Sequence, residues 1–196
     1  MNPGEIREVL ERRGAVMRGH FELSSGRHSD VFVQKFRVLE QPRLAQRFGE
    51  SLAELFDNEF DVVAAPAVGA VVLGFTTALA ADARSVFAER VDGRLDFRRG
   101  FEIAPREKVL VVEDVVTTGG SAREVVELVK RAGGNVVGVG ALLDRADASR
   151  PPDEAALGAP LRALVKLEVE SWDPAECPLC ASNQPVSDPG SRRLRG

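Results

Sequence analysis

Two adjacent carboxylates, Glu113 and Asp114, head a run of small and hydroxyl-bearing residues: Val115, Val116, Thr117, Thr118, Gly119, Gly120 and Ser121. Glycines let the backbone adopt φ > 0 and approach a ligand closely. Thr and Ser hydroxyls donate hydrogen bonds, and the unpaired N–H groups of a following helix favour a phosphate. The acids would repel a phosphate but can accept hydrogen bonds from neutral sugar hydroxyls. The pattern therefore points to a phosphorylated sugar. It is not a nucleoside-triphosphate loop, because no Gly-Lys-Ser/Thr follows, and GxGxxG is absent. A second candidate anion site is Ala67, Val68, Gly69 and Ala70, small residues whose backbone amides can face a ligand. A third feature is the stretch 89–100, which carries Arg90, Arg94, Arg98 and Arg99 without a helical or alternating apolar pattern. It is expected to be a mobile cationic loop.

These groups need a scaffold that brings them to one side. Residues 109–112 are all aliphatic and predict a strand buried on both faces, running into a helix over 122–131. Further strands are expected over 60–65, 85–88, 135–143 and 161–169, with helices over 42–56 and 71–81. At the start, Asn2, Pro3 and Glu5 form a helix-opening pattern, Ile6, Val9 and Leu10 share a face, and Gly14 offers the stop. Residues 15–38 read as an irregular polar and apolar mixture with a turn over 24–29 and a short strand at Val31, Phe32 and Val33. Residues 146–160 are expected to be a loop, and the tail beyond Cys180 to be flexible in part. Alternating strands and helices give an α/β fold of Rossmann-like type: a mostly parallel sheet with helices on both faces and ligands at the carboxyl ends of the strands. The 67–70 loop, the acid pair with its turn, and Arg145 all fall at such ends.

The acidic run closely resembles the phosphoribosyl-pyrophosphate (PRPP) signature of type I phosphoribosyltransferases. Residues 19–32, GHFELSSGRHSDVF, resemble the substrate hood of the orotate subfamily, and residues 172–180, WDPAECPLC, resemble the tail of one of its branches. The resemblance implies that Glu113 and Asp114 hold the ribose 2′ and 3′ hydroxyls and that the turn through Ser121 holds the 5′-phosphate. It gives the 67–70 loop to the pyrophosphate, and Thr117, Arg145, Ser25 and Phe32 to orotate. It further implies Mg²⁺ as cofactor, orotate and PRPP as substrates, and a homodimer. Some relatives carry a lysine where Ser24 stands, and the family's catalytic loop lysine has no counterpart in 89–100. Arg90 or Arg94 is expected to supply charge stabilisation there, since an arginine cannot exchange protons near neutral pH. Within one domain over 1–196, residues 1–38 are expected to form the helix and hood, 39–170 the core and 171–196 the tail. Other acceptors, a purine or uracil, and a ligand-sensing regulator on the same fold are the alternatives. Arg145 favours a carboxylated base, and no basic face supports the regulator.

Composition narrows the classes. The chain has 196 residues, 44% hydrophobic, which suits a single core, and a net charge of −4 that provides no field for nucleic acid. Aromatics are 6% and Tyr is absent, so stacking platforms for single strands are poorly supplied. The residues at the amino terminus lack the apolar run of a secretory signal, and no stretch is long enough to span a bilayer, so a cytoplasmic protein is expected. Cys177 and Cys180 are the two cysteines. As Cys-Pro-Leu-Cys they offer two soft ligands, but a structural zinc site wants four and both histidines are distant in sequence. A plain surface pair with no metal is expected, the alternative being a metal shared between subunits.

Overall fold

In the computed structural model, which describes residues 1–23, 25–145 and 154–189, the chain runs from helix α1 (Pro3–Arg12) into a hairpin, β1 (Val16–Glu22) and β2 (His28–Val33). The Asn2 side chain accepts from Glu5 N at 2.9 Å while Glu5 accepts from Asn2 N, closing the expected capping box. A short helix α2 (Phe36–Leu39) leads to α3 (Pro42–Glu54), β3 (Val62–Pro66), α4 (Val71–Ala80), β4 (Arg84–Val91) and β5 (Arg94–Phe97). Then follow β6 (Lys108–Val116), α5 (Gly120–Arg131), β7 (Asn135–Asp144), α6 (Glu154–Leu157), β8 (Leu161–Lys166) and β9 (Ser171–Trp172). A 3-10 turn (Pro174–Glu176) and α7 (Pro178–Ala181) end the regular structure.

Six strands form the main sheet in the order β5-β4-β3-β6-β7-β8, parallel except for the edge strand β5. Strand order reverses between β3 and β6, the place where open parallel sheets bind ligands. Along β6, Leu110 and Val112 join the core layer of α1, α3 and α4, while Val109 and Val111 join the layer of α5. All four are fully buried, so this central strand is held from both faces. Burial of each such aliphatic side chain contributes about 1.5–3 kcal/mol.

A second, three-stranded sheet in the order β1-β2-β9 is not hydrogen-bonded into the first and ties the amino-terminal hairpin to the tail. Residues 15–38, expected to be irregular with one short strand, are thus mostly this hairpin. Periodicity missed it because burial along β2 does not alternate, His28 and Ser29 being buried in succession. The expected mobile arginine loop over 89–100 is also corrected: β4 and β5 pair directly across Asp92 and Gly93, both at positive φ (48° and 82°). An Asp-Gly pair of this kind is a strong signal for a two-residue hairpin turn. In the expected loop 146–160, residues 154–157 form α6, and 146–153 lie outside the described residues. The tail is likewise partly paired, with Phe21 bridging Ser187 and Ser187 N donating to His20 O at 2.8 Å. Residues 190–196 lie outside the described residues, as does Ser24. Among the described residues no helix is long and apolar enough to cross a membrane.

Candidate active site

Strand β6 delivers Glu113 and Asp114 to its carboxyl end, next to the reversal in strand order. Asp114 is buried and Glu113 half-buried. Asp114 N donates to Glu113 Oε1 at 3.1 Å, and Val115 N donates to Asp114 Oδ1 at 2.6 Å. Loss of water pushes the Glu113 carboxyl up to about 8, and the neighbouring Asp114 charge adds to the effect. Asp114 Oδ2 is met at 2.6 Å by Lys35 Nζ. Lys35 comes from the residues that carry β2 into α2, so the hairpin sheet reaches directly into the main-sheet site.

The 67–70 loop closes over the same carboxylate. Ala67 N donates to Ala88 O at 2.8 Å, fixing the start of the loop on β4, and the Ala67–Val68 peptide is cis. A Cβ placed on Gly69 would lie 2.0 Å from Asp114 Oδ2 and 2.8 Å from Lys35 Nζ. Only a residue without a side chain fits there. Ala70 is buried, whereas Val68 stands exposed.

Beyond Asp114 the chain passes through Val115, Val116, Thr117 and Thr118 to Gly119, whose φ of 76° is left-handed and starts α5. A Cβ there would also meet Leu157 Cδ2 at 2.6 Å. Thr118, Gly119 and Gly120, with Arg123, Ala156 and Leu157, line a cavity of about 270 Å³ at the amino end of α5. Backbone N–H groups and the helix dipole favour an anion in such a place. Ser121 lies in the first turn. Arg145 follows β7, and its N donates to Val116 O at 2.8 Å, which sets it beside the Thr117 turn. Burial lowers the pKa of its guanidinium.

The structure thus gathers Glu113, Asp114, Ala67, Val68, Gly69, Ala70, the turn from Val115 to Ser121, and Arg145 at the carboxyl ends of β3, β6 and β7. It places others differently. Arg90 bonds to both Glu124 carboxylate oxygens on α5, at 3.3 and 3.1 Å, and Glu124 also accepts from Leu95 N. Arg90 therefore braces the β4–β5 hairpin, while Arg94 opens β5 on its exposed side. Ser25 sits in the hairpin turn, accepting from Arg27 N at 3.4 Å, at the opposite end from Lys35. Phe32 lies against Phe21, with ring centroids 5.8 Å apart.

Sequence reasoning missed Lys35 and Arg123, which belong to no motif, and misread the cysteines. Cys177 is buried rather than superficial, and folding of β1 and β2 onto the tail brings His20 and His28 next to Cys177 and Cys180. Distance along the chain was a poor guide because β9 pairs with β2.

The phosphoribosyl transferase domain family matches residues 37–173. The chain is 47% identical over 191 residues to an orotate phosphoribosyltransferase of Thermotoga maritima, covering 97% of this chain and all of the relative. It is 43% identical over 195 residues to one of Caldanaerobacter subterraneus, covering 99% of this chain and all of that relative. The fold is similar to the orotate phosphoribosyltransferase of Mycobacterium tuberculosis solved with PRPP, at a TM-score of 0.65 and 28% identity over 85% of this chain and 97% of that one. The chain belongs to the phosphoribosyltransferase family, in the group of the orotate phosphoribosyltransferases.

Proposed function

We propose that this enzyme transfers the 5-phosphoribosyl group of PRPP to N1 of orotate, giving orotidine 5′-phosphate and pyrophosphate in pyrimidine nucleotide synthesis. The bond from ribose C1 to the pyrophosphate oxygen breaks and its electron pair leaves with pyrophosphate, while N1 of orotate forms the new bond to C1 and loses its proton. Glu113 and Asp114 accept the ribose 2′ and 3′ hydroxyls. The cavity at Thr118, Gly119 and Gly120 takes the 5′-phosphate, and the backbone at Gly69 faces the pyrophosphate. The observation that carries this reading is the contact of Gly69 with Asp114: sugar-binding carboxylate and anion-binding backbone meet with no intervening side chain.

The donor set suits Mg²⁺ only as a shared ion. Glu113 and Asp114 are hard oxygen ligands, but Asp114 is already engaged by Lys35, so there is no all-protein cage. Glu113 and Asp114 would hold such an ion together with water and substrate oxygens. When bound, Mg²⁺ neutralises charge on the leaving pyrophosphate. Lys35 places a positive charge at Asp114 Oδ2, and Arg145 offers a planar two-pronged donor to the orotate carboxylate. The β1–β2 hairpin, which leads Lys35 to Asp114, covers the base and excludes water that would hydrolyse the donor. Arg94, and Arg90 if released from Glu124, bring positive charge from the hairpin edge.

A homodimer is part of the same proposal. Val72, Phe75 and Leu79 stand exposed along α4, with Val68 exposed in the loop before it, beside a groove of about 400 Å³ that Phe87 and Phe101 also line. Cys177 and Cys180 are not joined as a disulfide, which fits a reducing, cytoplasmic setting. The deciding assay is a panel of bases with PRPP and Mg²⁺, following pyrophosphate release. Orotate is expected to react; reaction of adenine, hypoxanthine or uracil in its place would refute the acceptor.

A further inference from the structure

We propose that His20, His28, Cys177 and Cys180 form a zinc site that clamps the β1–β2 hairpin to the tail. The four side chains offer ligand atoms that all lie within 4.8 Å of one another. Cys177 Sγ and Cys180 Sγ are 3.5 and 3.7 Å from His20 Nε2, and Cys180 Sγ is 3.3 Å from His28 Nδ1. A tetrahedral zinc with Zn–N of about 2.05 Å and Zn–S of about 2.3 Å separates its nitrogen and sulfur ligands by about 3.6 Å. The three observed separations bracket that value. His20 Nε2 and His28 Nδ1 are closer, 2.9 Å, than the roughly 3.3 Å of a tetrahedral edge, so the ion spreads the two rings by a few tenths of an ångström.

The surroundings are those of a closed structural site. His20, His28 and Cys177 are buried, and Cys177 and Cys180 have the two-residue spacing common to zinc ligand pairs. His20 Nδ1 lies 2.8 Å from Gln184 O, which fixes the tautomer that leaves Nε2 as the ligand nitrogen. Two thiolates and two imidazoles select zinc over the hard Mg²⁺ of the catalytic centre. Binding displaces two thiol protons and leaves both imidazoles neutral. Each ligand pair comes from a different part of the fold, the histidines from paired strands and the cysteines from around the start of α7. A bound ion therefore joins the hairpin that covers the base to residues 177–184.

The test uses the full chain, purified without chelators and with Mg²⁺ held constant. Elemental analysis is expected to find about one zinc per chain. Cobalt exchanged into the protein should show the visible ligand-field bands and near-ultraviolet thiolate bands of a tetrahedral site. Removing zinc should lower the melting temperature by more than about 5 °C, restored by added zinc but not by Mg²⁺. Cys180→Ser, at the more exposed ligand, should lose the cobalt thiolate signature; if it does not fold, the wild-type cobalt spectrum decides alone. Protein that holds no zinc after incubation with it, a Cys177–Cys180 disulfide in the purified chain, or an octahedral cobalt spectrum overturns the proposal.

Discussion

Lys35 Nζ lies 2.6 Å from Asp114 Oδ2, with the Asp114 side chain 3% and the Lys35 side chain 29% exposed. Removing one partner of a buried pair strands the other charge, so Lys35→Met should destabilise the protein by about 2 kcal/mol, less than for a fully buried pair because Lys35 is partly hydrated. Lys35→Met combined with Asp114→Asn should recover part of that loss while remaining inactive. Thermal melts of the two single variants and the double variant give the coupling, and strictly additive losses would show that the ion pair does not act as a unit.

Glu113 carries the clearest pH signature. Its carboxyl is raised from 4.5 to about 8 in the folded chain, so the folded state holds the proton more tightly than the unfolded state does. That stabilising contribution is complete below about 4.5 and drains away as pH climbs through about 8. The melting temperature of the ligand-free enzyme should therefore fall between pH 5 and 8 by a few degrees more than that of Glu113→Gln. Parallel curves for the two proteins would contradict the assignment.

Gly69→Ala tests the contact with Asp114. A Cβ at 2.0 Å from Oδ2 forces the carboxylate or the loop to move. A displacement of about 1 Å at a reacting centre costs on the order of 100-fold, so kcat/KM for PRPP should fall by about that factor. Steady-state kinetics check it, with circular dichroism to confirm that the fold persists. Near-wild-type kinetics would mean the loop does not bear on the sugar site.

Arg145→Ala should raise the KM for orotate by on the order of 10- to 100-fold, the value of a hydrogen bond to a charged group, with little change in PRPP affinity. Arg145→Lys should not restore it, because a point charge lacks the two-pronged geometry. Equal losses for both substrates, measured by titration calorimetry and kinetics, would remove the residue from base recognition.

On α4, Phe75→Glu with Leu79→Glu should convert a dimer into monomers in sedimentation experiments, because charge cannot be buried unpaired in an apolar contact. Both residues are exposed in the single chain, so its own fold should survive. An unchanged sedimentation profile would place the contact elsewhere.

The main sheet was legible because its strands are short aliphatic runs ending in small or polar residues. Residues 109–112 and 135–143 announce burial on both faces, and the expected helix over 42–56 runs over Pro42–Glu54. The acid pair and glycine turn were legible for a related reason: their chemistry depends on neighbours in sequence. Lys35 was not, since its partner is reached only when the hairpin docks on the carboxyl end of β6. His20 and His28 were hidden in the same way, by a pairing between β2 and β9 that no local pattern records. The β4–β5 hairpin is different, because the Asp92-Gly93 turn was available to be read and the density of arginines drew attention from it.

The three-stranded sheet has an order of assembly written into it. Its third strand and the Ser187 bridge leave the ribosome after every strand of the six-stranded sheet has been made. A nascent chain halted after Lys166 can lay down every strand of the six-stranded sheet, yet its β1–β2 hairpin still lacks a flank. Truncations or fusions placed between Lys166 and Ser171 should consequently separate donor binding from protection of the base, the roles proposed for the main sheet and for the hairpin.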